Sequence, residues 1–112
     1  MKKLRLRKYK GANRMREKLF KEKEEIKREL RKLIESEEEF NISFHGVFSA
    51  FLGKSKLKKR KNDVISFNYC LGINLKDIKS LKVDITKVLN YYEVIYILKL
   101  TDQSSLILRN YD

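Results

Sequence analysis

The chain has 112 residues, 42% hydrophobic and 38% charged, enough apolar content for one modest core but not for burying every segment. Lysine and arginine number 27 against 15 acids, a formal net charge of +12. Self-repulsion on that scale calls for a polyanionic partner: nucleic acid, an anionic lipid surface or an acidic protein. The single cysteine excludes an internal disulfide and fits a reducing, cytoplasmic setting, and no apolar run is long enough to read as a membrane span.

Residues 1–11 read as a flexible basic arm ending at Gly11. The first residues have the positive flank of a signal peptide but no apolar stretch behind it. Residues 12–39 read as a long charged helix with Asn13 as its N-cap. Its apolar positions are Met15, Leu19, Ile26, Leu30, Leu33 and Ile34, spaced by threes and fours. Opposite charges four apart, Glu17–Lys21, Glu24–Arg28 and Arg31–Glu35, add a few tenths of a kcal/mol each. The apolar seam breaks at Glu22-Lys23.

Residues 40–112 read as a small α+β domain. Phe40, Ile42 and Phe44 alternate with polar neighbours as a half-buried strand, and Ile65, Phe67, Tyr69 and Leu71 do the same. The simplest connection is an antiparallel hairpin with the basic segment 54–61 at its tip. Residues 75–89 fit either period. Leu75, Ile78, Leu81, Ile85 and Leu89 favour a helix, while Leu81, Val83 and Ile85 also alternate. Residues 91–100 are the strongest strand signal and belong in the middle of a sheet, because both faces are apolar. Asp102–Ser105 is a turn, and Leu106–Tyr111 returns as the last strand. The expected fold is therefore α+β: a basic arm and long helix, then a small antiparallel sheet of two hairpins with one further helix.

Charge is unevenly placed. Residues 1–35 carry fifteen bases and six acids, and residues 54–61 carry six bases and none, whereas residues 62–112 balance six against six. Two candidate nucleic-acid contacts follow. The first is Arg5, Arg7, Lys8, Tyr9, Lys10, Arg14, Arg16 and Lys18, a phosphate-tracking arm with one stacking group. The second is Lys54, Lys56, Lys58, Lys59, Arg60 and Lys61, whose crowding a row of phosphates would relieve. A solvated tail and a passive loop are the bland alternatives. Lysine outnumbers arginine in the second set, which suits backbone contact better than bidentate base reading.

Signals for chemistry are sparse. His45 and Cys70 are the only histidine and the only cysteine, too few for a zinc site, and no flanking signature marks them as a nucleophile pair. The glycines at 11, 46, 53 and 72 form no phosphate cradle, and the acids of the second half stand singly. No catalytic residue, metal or cofactor is expected. A basic amphipathic helix can lie on lipid, but this one carries many acids and a narrow apolar face. No motif is specific enough to name a family.

The expectation is a non-enzymatic, cytoplasmic accessory protein that holds the backbone of RNA or DNA through arm and loop, as basic ribonucleoprotein components do. The alternative is a phage- or mobile-element-encoded inhibitor or adaptor of the anti-CRISPR type. It would bind a host nucleoprotein enzyme and use the helix or sheet edge against protein.

Overall fold

The computed structural model describes residues 12–67 and 71–111, and among them 60 residues in strands against 17 in helical turns make the protein mostly β. The expected α+β arrangement, a long helix followed by a small sheet, is overturned. A six-stranded antiparallel sheet forms the body, and a three-stranded sheet and one α-helix share its core.

The first strand, β1 (Ala12–Phe20), occupies the first half of the expected long helix. Its three large apolar residues, Met15, Leu19 and Phe20, would make a thin helical seam. As a strand it instead gains a ladder from Ala12↔Val88 to Phe20↔Leu81 and a cross-strand ion pair between Glu17 and Lys82. Tertiary pairing overrides a weak local preference. The corner falls at the break in the seam, and α1 (Lys23–Ser36) follows, burying Ile26, Leu30 and Leu33 at helical spacing. Glu24 and Glu25 in the first turn suit the positive end of the helix dipole. Lys23 ties that end down: its ammonium donates to the carbonyls of Leu75, Lys76 and Ile78 at 3.1, 3.0 and 2.6 Å. The helix ends at Glu37, in the left-handed region (φ 56°), whose N–H donates to Ile34 O.

Next come β2 (Glu39–His45) and β3 (Ser49–Lys56), which pair with each other through a tight connection at Gly46. A Cβ on Gly46 would stand 3.0 Å from the Phe44 ring and from Ser104 Cβ, so a larger residue there would have to push them back by a few tenths of an ångström. The expected hairpin between residues 40–45 and 65–71 does not form, because β2 is already paired on both sides.

A separate small sheet is formed by β4 (Lys58–Lys59), β5 (Val64–Ser66) and β6 (Gly72–Asn74). Asn62 and Asp63 turn β4 into β5, both in the left-handed region (φ 60° and 59°) that Asn and Asp tolerate. The basic segment is thus not a free hairpin tip. Leu57, alone among its cations, is 3% exposed and packs with Ile65, Phe67 and Ile73 in the common core.

A single 3-10 turn (Leu75–Asp77) leads into β7 (Ile78–Val88), where a helix was expected. The β-branched Val83, Ile85 and Thr86 suit a strand, and pairing with β1 on one side and β8 on the other settles the ambiguity. As expected, β8 (Tyr91–Leu100) lies inside the sheet and β9 (Ser105–Tyr111) returns beside it. The sheet order is β1-β7-β8-β9-β2-β3. Alternation directs Leu81, Leu98, Leu106, Leu108, Phe40 and Ile42 into the core, all fully buried. Ile95, Ile97 and Ile107 lie half-buried on the other face.

Two outcomes test this arrangement. Leu57→Ala should cost about 2–4 kcal/mol in urea denaturation, as a buried leucine does, while the neighbouring Lys59→Ala should stay within about 0.5 kcal/mol. In the β8–β9 turn, Asp102 Oδ1 accepts from Ser104 Oγ and Ser104 N–H, which holds its carboxyl below the usual range. A lowered pKa favours the fold above the ordinary carboxylate pKa and loses that contribution as pH falls through the folded value. An NMR titration should show Asp102 below a free aspartate, with Ser104→Ala moving it back up.

Candidate nucleic-acid interface

Backbone geometry decides where the cations of residues 54–61 go. Lys54 and Lys56 lie two apart on β3, opposite Asn41 and Glu39. Leu57 then plunges into the core, and the chain resumes as β4, where successive side chains point to opposite sides. Lys58 and Arg60 therefore join Lys54 and Lys56 around one groove, with Ser55, Ser66 and a single carboxylate, Glu39. Lys59 turns the other way, into a second groove between α1 and the small sheet, where Lys27 and Arg31 of the helix meet it.

The first groove holds four cations against one acid. Lys56 Nζ is 4.0 Å from Glu37 Oε1, an exposed and weak pair. Its cations stand on strands whose backbone is fixed, so their mutual repulsion cannot relax by moving the chain apart. An array of anions placed between them relieves it. Lys61 is exposed, and its carbonyl accepts from Val64 N–H, closing the β4–β5 turn.

The remaining expected site residues lie elsewhere. Arg5, Arg7, Lys8, Tyr9 and Lys10 fall outside the described residues. Arg14 and Arg16 sit on β1, and Lys18, on the same strand, is exposed opposite Val83. β1 and β3 are opposite edges of the six-stranded sheet, five strand spacings or about 24 Å apart. The structure thus separates the cations of β1 from those of β3 and β4. It adds Lys27 and Arg31, which the sequence reading passed over, although their spacing of four places them on one helix face.

His45 is exposed, with its ring nitrogens 3.1 Å from Ser43 Oγ and 3.4 Å from Ser49 Oγ. Cys70 falls outside the described residues. Among the described residues no three His, Cys, Asp or Glu side chains gather in a metal-binding group, and no helix is long and apolar enough to cross a membrane. No family model, curated protein or solved structure matches the chain.

Because the two cation sets stand on opposite edges, their effects should add. Neutralising Lys58 and Arg60 to Gln, and Lys18 to Gln, should each lower the salt needed to elute the protein from a heparin column. The combined variant should shift by the sum of the two, as distant sites do.

Proposed function

We propose that this is a non-enzymatic, cytoplasmic nucleic-acid-binding accessory protein that holds the phosphate backbone. The observation that supports it is the convergence of Lys54, Lys56, Lys58 and Arg60 on one groove whose walls are anchored in the core through Leu57. Solubility requires charge spread over a surface, not four cations gathered around one groove. Lysine-rich contacts of this kind read phosphate and not sequence, so affinity should vary little between sequences of the same form.

A second reading, an inhibitor or adaptor acting on a nucleoprotein enzyme, draws on a different feature. Val47, Phe48 and Phe51 are exposed together at the β2–β3 end, Phe51 at 74%. Large exposed apolar side chains of that kind suit protein docking. The two readings part on one variant.

Fluorescence anisotropy with generic DNA and RNA over a salt series tests the first. If about six phosphates are neutralised, log K should fall with log salt at a slope near −5 on duplex DNA. Changing Lys54, Lys56, Lys58 and Arg60 to Gln should flatten that slope by about 3–4 units and weaken all sequences alike, with the thermal midpoint held or raised. Affinity that is flat in salt overturns the phosphate-binding reading. Retention of a host nucleoprotein by the same variant, more slowly formed, would favour the second reading.

A further inference from the structure

The second groove differs in kind from the first. Its floor is apolar, made by Ile34 of α1, Ile65 of β5 and Leu75 of the 3-10 turn, and its rim carries Lys27, Arg31 and Lys59. It measures about 240 Å³, below the range of about 300–1,000 Å³ that takes drug-sized ligands, so it suits one planar ring system. Glu35 and Asp63 also line it, Asp63 lying 4.0 Å from Lys27. Two carboxylates beside an apolar floor can accept hydrogen bonds from the amino edge of a base.

β4 is the ridge between the grooves. Lys58 faces the phosphate groove and Lys59 the apolar one. A strand whose phosphates lie against Lys58 and Arg60 can therefore turn one base over the ridge and keep its own phosphate near Lys59. From this we infer that the α1–β4 groove is a nucleobase subsite, and that the preferred ligand is single-stranded nucleic acid. The inference rests on the phosphate-binding reading and deepens it. A duplex keeps its bases stacked inside and reaches only the first groove, unless it spends unpairing energy to extrude one.

The experiment compares a 12-nucleotide single strand with a duplex of the same sequence, using wild-type protein and the double variant Ile34→Gln, Leu75→Gln. These changes leave the charge untouched. Single-strand affinity should fall about tenfold, the scale of one lost base contact, with the salt slope unchanged and duplex affinity within about twofold. Equal loss on both ligands, or no loss on either, overturns the subsite while the phosphate reading stands. A wild-type protein that binds neither ligand overturns both. Since the double change touches half-buried positions, photocrosslinking of the wild-type protein gives an independent measure. A single strand carrying 5-bromouridine should crosslink to peptides containing residues 31–35 or 75, and crosslinks confined to other peptides overturn the subsite.

Discussion

One helix has to cover a sheet wider than itself. The 14 residues of α1 make a rod about 21 Å long and 10 Å across, while six strands span about 24 Å. The apolar face left over would lie open to water at about 25 cal/mol for each Å². The small sheet closes that gap: Leu57, Ile65, Phe67 and Ile73 complete the core that Ile26, Leu30 and Leu33 begin. The most basic stretch of the chain is thereby drawn into the body of the protein. The joint between helix and small sheet is the apolar groove, and the joint between β3 and β4 is the cationic one.

Much of the central sheet was legible because its signals agreed. The alternation of Phe40, Ile42 and Phe44, the double-sided apolar run of 91–100 and the turn at Asp102 each had one plausible period, and each is found in place. β1 and β7 failed for a shared reason. β7 carries apolar residues that satisfy a helical and an alternating pattern at once, β1 carries too few to set either, and residues 81–88 of β7 pair along β1 from Ala12 to Phe20. That long-range partnership decides the matter, and no window of a single sequence contains it. Leu57 was a fainter signal of the same sort. One apolar residue inside six cations looked incidental, yet it is the anchor that makes a loop into a strand.

The candidate site was half legible. A charge run is visible in any reading of the chain, so Lys54 to Lys61 could be named from sequence. Its division could not, because the alternation of Lys58, Lys59 and Arg60 matters only once β4 is recognised as a strand. Arg31 was read only as the partner of Glu35 and Lys27 was not singled out, and their proximity to Lys59 depends on how α1 packs beside the small sheet. The charge asymmetry along the chain also misled, since segments that sum to one large excess fold onto opposite edges.

Edge strands need charge for a reason unrelated to nucleic acid, and that competing explanation has a limited reach. An exposed edge invites pairing with another chain, and lysines, bulges and strong twist deter it. β3 has Lys54 and Lys56, a register break at Ile42/Ser43 and Gly53 at φ +86°. β1 has Lys18 and a break between Arg14 and Arg16. Edge protection thus accounts for those residues where they stand. The same protection extends to Lys58, because β4 is itself an edge of the small sheet, but not to Arg60, which follows that strand and lines the same groove. Protection is a demand on each edge separately, and it does not require the edges of two sheets to set Lys54, Lys56, Lys58 and Arg60 around one groove. That shared groove is what edge protection leaves over, and repulsion among its cations is lowered by an anion seated between them.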